Sequence, residues 1–281
     1  MTARQPKIAL INDLSGYGRC SLMVSIPILS AFGIECCVLP TAVLSNHTEF
    51  DSWYMQDLSA GMEPWMDEWQ ARGLSFNAIY SGFLGSAGQA EKVLDFVERF
   101  AGPETLVVVD PVLGDGGKAY ATCGPDLQKA MGKLAVRAGL LTPNVTELCL
   151  LTGTPFLENP TETELESLCR QLSQQGPERI VVTGIPQGEQ IAVYVYERDK
   201  GGSFCRFRHV FERRPGTGDV FASVLCGELL KGATLFQAVE KAGAFVVEGL
   251  ELAKKLEVPA HDGIPFELLL GTIAGENCHH D

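Results

Sequence analysis

The run Arg214-Pro215-Gly216-Thr217-Gly218-Asp219-Val220-Phe221-Ala222 holds the residue types that phosphate chemistry needs, in a usable order. Gly216 and Gly218 permit a sharp turn, and an apolar stripe including Val220, Val224 and Leu229 predicts a helix opening directly from it. Such a helix start gathers several backbone N–H groups, here those of Gly216, Thr217 and Gly218, on one point and makes an anion site. Asp219 then has two readings. It is an acid stabilised by the helix dipole, or it is a base that takes a proton from a hydroxyl while a phosphate transfers beside it. Neither a P-loop nor a protein-kinase signature occurs, so the phosphate site is not of those types.

Other residues offer weaker signals. Asp110 ends the apolar run 106–110, and ligands gather at strand ends in open α/β sheets, although Asp-Pro is also common strand punctuation. Asn144 and Glu147 stand three apart at a helix start, the spacing of a capping box. The stretch Asp115-Gly116-Gly117-Lys118-Ala119-Tyr120 is either a generic loop or a cover for phosphates. Nine cysteines are scattered without a C-x-x-C pair, which fits reduced thiols better than a disulfide framework. Cys36-Cys37 sits in an apolar run and reads as packing, while Cys123 is the thiol to test for reactivity. Cys278-His279-His280-Asp281 holds metal-binding residue types, but a chain end of this kind is usually mobile.

These residues need a scaffold, and the hydrophobic pattern supplies one. Lys7–Ile11, Ile34–Leu39, Ala78–Ser81, Leu106–Asp110, Leu140–Thr142 and Ile180–Thr183 read as strands, several without polar alternation, as in a parallel sheet covered on both faces. Between them Ser21–Phe32, Ser86–Phe100, Asn144–Leu151 and Thr161–Gln175 have helical spacing, which predicts an α/β layer fold with right-handed crossovers. Gln190–Tyr196 and Ser203–Val210 alternate around a turn-like Asp199–Gly202 and predict an antiparallel hairpin at the sheet edge. Helices are expected over Asp219–Leu230 and Leu235–Leu256, and Gly61-Met62-Glu63-Pro64 is expected to break one. No repeat or linker divides the chain, so 1–281 is expected to be a single domain.

Composition excludes several partners. With 22 basic against 35 acidic residues, a net charge of −13, the surface does not suit nucleic acid or an anionic bilayer, although a small phosphate ligand needs only a local site. No run approaches the ~18 apolar residues of a membrane span, and Ile8–Ile11 is too short for a signal core. A cytoplasmic protein is expected.

The G-T-G-D at 216–219 resembles the anion-hole and base motif of the ribokinase-like superfamily, in its vitamin-kinase branch of pyridoxal kinases and hydroxymethylpyrimidine kinases. It is joined in that family's order by Ser45-Asn46-His47-Thr48, Ser81-Gly82-Phe83, Val109-Asp110-Pro111-Val112-Leu113-Gly114-Asp115 and Thr142-Pro143-Asn144-Val145-Thr146-Glu147-Leu148. The resemblance implies a three-layer sandwich, a mostly parallel central sheet with helices on both faces. It implies Asp219 as catalytic base with Gly216, Thr217 and Gly218 as the anion hole. Asp110, Asp115, Lys118, Thr142, Asn144 and Thr183 would then serve ATP, with Asp110 and Glu147 managing Mg²⁺ and residues 115–120 acting as a lid.

Around the acceptor the resemblance implies Asp13, Ser15, Asn46, His47, Thr48 and Phe83. A lone histidine is more often structural than functional, and only its four-residue context promotes His47. Pyridoxal kinases usually have serine where this chain has Asp13, and Asp13-Leu14-Ser15-Gly16-Tyr17-Gly18 looks more like the hydroxymethylpyrimidine-kinase loop. Asp13 is expected to pair with a protonated ring nitrogen or an amino substituent, away from the phosphate site. The function implied is ATP- and Mg²⁺-dependent phosphorylation of the 5'-hydroxymethyl group of a B6 vitamer (pyridoxal, pyridoxamine or pyridoxine) for pyridoxal 5'-phosphate salvage. The alternatives are hydroxymethylpyrimidine kinase, a non-catalytic vitamin- or nucleotide-binding protein of the same fold, and, more distantly, a sugar kinase. A homodimer is expected by resemblance alone.

Overall fold

The computed structural model describes residues 5–274, and its apolar runs pair into one nine-stranded sheet. The first five strands are β1 Lys7–Ser15, β2 Glu35–Leu44, β3 Met55–Asp57, β4 Ala78–Ser81 and β5 Leu106–Val109. A separate two-stranded hairpin follows, β6 Gly114–Asp115 with β7 Lys118–Ala119. The remaining strands are β8 Leu140–Leu141, β9 Arg179–Gln187, β10 Gln190–Glu197 and β11 Gly201–Arg208. The main sheet has the order β11-β10-β9-β8-β5-β4-β1-β2-β3. From β9 to β2 all neighbours are parallel, and only β3 and the β10–β11 hairpin run antiparallel.

The period-2 alternation of each central strand divides two cores. On β1, Ala9 and Ile11 face one layer, with α2 (Ser59–Ala71), α3 (Ala87–Phe100), α4 (Pro125–Val136), α5 (Val145–Thr152) and α6 (Glu162–Ser173). Ile8 and Leu10 face the other, with α1 (Leu22–Ala31), α7 (Thr217–Leu230), α8 (Leu235–Lys255) and the segment that ends in the short α9 (Leu270–Ile273). This is the three-layer, mostly parallel architecture that the resemblance implies, and the 190–208 hairpin lies at the edge as its alternation predicts. Among the described residues no helix is long and apolar enough to cross a membrane.

One expectation fails. Gly61–Pro64 does not break a helix, because α2 runs through it from Ser59 to Ala71. Met62 and Met66, one turn apart and fully buried, hold the helix on the sheet. Pro64 removes the N–H that would reach the Ala60 carbonyl, but both residues are exposed and water can replace it. Packing outweighs the local signal.

The strand order reverses at β1, with β2 on one side and β4, β5, β8 and β9 on the other. A crevice opens at such a switch point beyond the carboxyl ends of the strands. Residues 12–15 and 81–83 therefore face each other there, with 110, 142–144 and 183 following along the same edge.

Candidate active site

Gly216 caps α7 in the left-handed region at φ 74°, and a Cβ on it would collide with the Arg19 carbonyl oxygen. The turn therefore needs glycine at 216. Gly218 differs from expectation, for it lies inside the helix and does not make the turn. No atom lies within 4 Å of where its Cβ would stand, so its missing side chain leaves open space at the helix start. Helix geometry leaves the first N–H groups of α7 without intrahelical acceptors, and such groups can receive an anion. Thr217 Oγ1 donates to the Arg214 carbonyl at 3.2 Å and stiffens the loop.

Asp219 is half-buried one residue further on. The Ser21 N–H donates to its Oδ2 at 2.8 Å and Asn12 Nδ2 to its Oδ1 at 3.3 Å. Burial pushes its pKa up to about 6, against these two hydrogen bonds and with help from the nearby Asp13 charge. Ser21 reaches it from a left-handed conformation, φ 52°, that a non-glycine residue adopts only under constraint. Asn12 also accepts from the backbone N–H groups of Phe83 and Asp13, both at 2.9 Å, so it cannot flip its amide without losing them.

A second group of acids stands along the edge. Asp110 follows β5, and among the described residues its carboxylate accepts no hydrogen bond. Burial, then the Glu147 and Asp219 charges, drive its pKa well above the usual range. Glu147 closes a capping box with Asn144, as the spacing predicts. Its Oε1 also accepts from the Leu113 N–H at 2.9 Å, which fastens the lid base to α5. Burial raises Glu147 to about 7 despite these backbone donors. Between Asp110 and the β6–β7 hairpin, Val112 is held at φ 46°, a rare conformation for a β-branched residue that its surroundings must impose.

Among the described residues no three metal-ligating side chains form a closed cage. Mg²⁺ needs no such cage, for it takes one or two carboxylates and keeps its other positions for water and phosphate oxygens. Asp110, whose pKa the Glu147 charge helps to raise, supplies with Glu147 the two-carboxylate donor set that such an ion takes.

The stretch 115–120 forms the β6–β7 hairpin rather than a plain loop. Asn144 Nδ2 donates to the Gly114 carbonyl at 2.7 Å, and the Gly117 N–H to Thr146 Oγ1 at 2.9 Å. Asp115 at the end of β6 pairs with Arg213, and Lys118 is exposed. Thr142 is buried under the edge, and half-exposed Thr183 is bridged to Asn144.

On the acceptor side the expected residues converge, but several have structural duties. Asp13 is buried and accepts from Ser21 Oγ at 2.6 Å and Ser15 Oγ at 3.0 Å, and burial raises its pKa against both hydroxyls. Since Ser21 also holds Asp219, Asp13 is one serine from Asp219 rather than apart from the glycine loop. His47 Nε2 donates to the His261 carbonyl at 2.8 Å and its Nδ1 accepts from the Glu49 N–H at 3.3 Å, so both ring nitrogens are occupied by backbone. Asn46 braces the same loop through the Ser52 carbonyl at 2.8 Å. Thr48 is exposed and Phe83 half-buried at the crevice wall.

Asn12, Ser21 and Arg214 carry no such signature in the sequence. Buried Arg214 clamps the glycine loop to the Val258, Pro259 and Gly263 carbonyls at 2.7, 2.9 and 3.0 Å. Cys123 is buried, and burial raises its pKa. Iodoacetamide is therefore expected to modify Cys123 at least ~10-fold more slowly in the native protein than in denaturant, as peptide mapping would show. Residues 278–281 lie outside the described part. A depression of about 500 Å³ at the far antiparallel edge, lined by Glu166, Arg170, Tyr196, Arg198 and Lys200, has none of the groups above.

The family model for phosphomethylpyrimidine kinase matches residues 31–264. A pyridoxine/pyridoxal/pyridoxamine kinase of Bordetella avium is 32% identical over 262 residues, covering 88% of this chain and 86% of its own. A Bacteroides thetaiotaomicron crystal structure, described as a candidate phosphomethylpyrimidine kinase, is 38% identical with a TM-score of 0.95, covering 98% of this chain and 96% of that one. A second crystal form of that protein, with pyridoxal, has a TM-score of 0.91 at 38% identity and covers 97% and 96%. Pyridoxal kinase from Lactobacillus plantarum is 29% identical with a TM-score of 0.90, covering 99% of both chains.

Proposed function

Since the chain belongs to the phosphomethylpyrimidine kinase family, we propose that it uses ATP and Mg²⁺ to phosphorylate the 5'-hydroxymethyl group of a B6 vitamer. The observation that carries this reading is the α7 start. There an open anion site and a carboxylate raised to about 6 stand side by side at the strand switch point. A general base works best with a pKa near the working pH. Asp219 takes the hydroxyl proton as the acceptor oxygen bonds to the γ-phosphorus and the bond to the bridging β–γ oxygen breaks, releasing ADP. The amides of Gly216, Thr217 and Gly218 receive the charge on the transferring phosphoryl group, so most of the catalysis is positioning and electrostatics. Asp110 and Glu147 would hold Mg²⁺, which when bound neutralises phosphate charge. Thr142, Asn144 and Thr183 would line the nucleotide side, and the β6–β7 hairpin would exclude water that otherwise hydrolyses ATP.

Pyridoxal in the crystal of a 38%-identical relative favours a B6 ring as acceptor. The family model's description keeps hydroxymethylpyrimidine as the second reading. The whole chain, 1–281, is proposed as one kinase domain working in the cytoplasm on small molecules, with a homodimer as the expected assembly. Side-by-side turnover with pyridoxal, pyridoxamine, pyridoxine and hydroxymethylpyrimidine tests this. At least one vitamer is expected to exceed the pyrimidine in kcat/KM by ~10-fold or more, the effect of a recognised polar group. A preference for the pyrimidine would transfer the assignment to the second reading, and no ADP release with any acceptor would leave a binding protein.

Asp13→Ser is expected to do two things. It should reorder the acceptors and, through Ser21, lower kcat for all of them by ~10-fold or more, the loss of a charge-assisted hydrogen bond. Unchanged kcat with all acceptors would show that the Asp13–Ser21–Asp219 connection is idle.

A further inference from the structure

The site is rich in acids, and apart from Lys118 on the hairpin the cations near it in sequence are arginines. Asp13, Asp110, Asp115, Glu147 and Asp219 surround the place where a polyphosphate would lie. Arg214 and Arg19, the nearest arginines in sequence to the glycine loop and to Ser21, are committed elsewhere. Arg214 binds Glu212 and backbone carbonyls, and Arg19 binds Glu267 and the Asp262 carbonyl. Arg213 is placed differently. It stands three residues before Gly216, and one guanidinium nitrogen lies 3.2 Å from Asp115 Oδ2 on the hairpin and 3.6 Å from Glu49 Oε1 on the acceptor loop. It thus joins three segments that border the phosphate site: the lid, the acceptor loop and the glycine loop.

Neither pair is built to last. The Arg213 side chain is 67% exposed, and the Glu49 contact is too long for a hydrogen bond. Exposed pairs of this kind hold weakly. A phosphate group offers a guanidinium two parallel charge-assisted hydrogen bonds and a higher charge. We propose that Arg213 is a ligand of the donor nucleotide's outer phosphates, parked on Asp115 and Glu49 until the nucleotide arrives. The inference rests on the kinase reading above and adds to it a residue and an exchange of partners. When Arg213 turns to phosphate it releases the Asp115 carboxylate, while the hairpin keeps its bonds to Thr146 and Asn144. Glu49 is a competitor for the same cation, so removing its charge should help nucleotide binding.

Calorimetric titration with AMP-PNP, ADP and AMP in the presence of Mg²⁺ tests this on the full chain. Arg213→Ala is expected to weaken AMP-PNP and ADP by ~10- to 100-fold and to leave AMP within ~2-fold, with Arg213→Lys between. Glu49→Gln is expected to tighten AMP-PNP by ~2- to 5-fold, the release of one weak surface pair. AMP binding also serves as the fold control for each variant. The proposal is overturned if Arg213→Ala binds AMP-PNP as wild type does. It is also overturned if Glu49→Gln weakens AMP-PNP alongside Arg213→Ala, since the ion pair itself would then be what matters. A wild-type chain that bound none of the three nucleotides would sink the kinase reading together with this one, whereas binding indifferent to Arg213 would sink this one alone.

Discussion

Asp219→Asn is expected to lower kcat by ~10²–10⁴ while the KM for ATP stays close to wild type. The amide keeps the shape but cannot take a proton. Its NH₂ would also face the Asn12 NH₂, which is pinned by Phe83 and Asp13. In wild type the base must be ionised, so kcat should fall as pH drops through about 6, the value to which burial raises Asp219. Stability should move the opposite way. A carboxylate whose pKa is higher folded than unfolded favours the fold when protonated, and that contribution is lost as pH rises through about 6. The melting temperature of the Asn variant relative to wild type should therefore increase between pH 5 and pH 8. Near-wild-type turnover would remove Asp219 from the reaction, and a pH-independent difference in melting would show that its burial carries no ionisation penalty.

Gly216→Val and Gly218→Val are expected to fail for different reasons. At 216 the left-handed backbone and the Arg19 carbonyl both oppose a side chain, so the variant should lose ~2–4 kcal/mol of stability as well as activity. At 218 the backbone is helical and the Cβ position is open, so melting should stay within ~2–4 °C of wild type. The added side chain instead stands where phosphate would approach the α7 amides, and kcat/KM should fall by ~10²-fold or more. Equal melting of the two variants, or an active Gly218→Val, would contradict the anion site.

The contrast shows what a sequence exposes. Gly216, Asp219, Asn144 and Glu147 are legible in their structural places because each is written among neighbours in the chain, as a turn, a helix start or a capping box. Asn12 and Ser21 act on Asp219 from 207 and 198 residues away, and no local pattern encodes that meeting. Gly218 was legible as part of a motif but not in its task, since a glycine that turns and a glycine that merely leaves room look alike in sequence. His47 illustrates the reverse. Its context promoted it to the acceptor, whereas its ring nitrogens are occupied by the His261 carbonyl and the Glu49 amide. In the fold, β3 escaped notice because its three residues are all exposed and show no alternation, and α2 reads as broken because Pro64 masks the Met62–Met66 stripe.

Arg214 and His47 both reach the segment from Val258 to Gly263, one from the glycine loop and one from the acceptor loop. During synthesis that segment emerges some 40 residues after Asp219, the last of the reacting side chains. The sheet is already complete by Arg208, yet the two loops stay unanchored until residue 263 has docked. A nascent chain would thus acquire its architecture before its chemistry. Docking of the 258–263 segment, rather than folding of the sheet, would set the moment at which the two loops come into register.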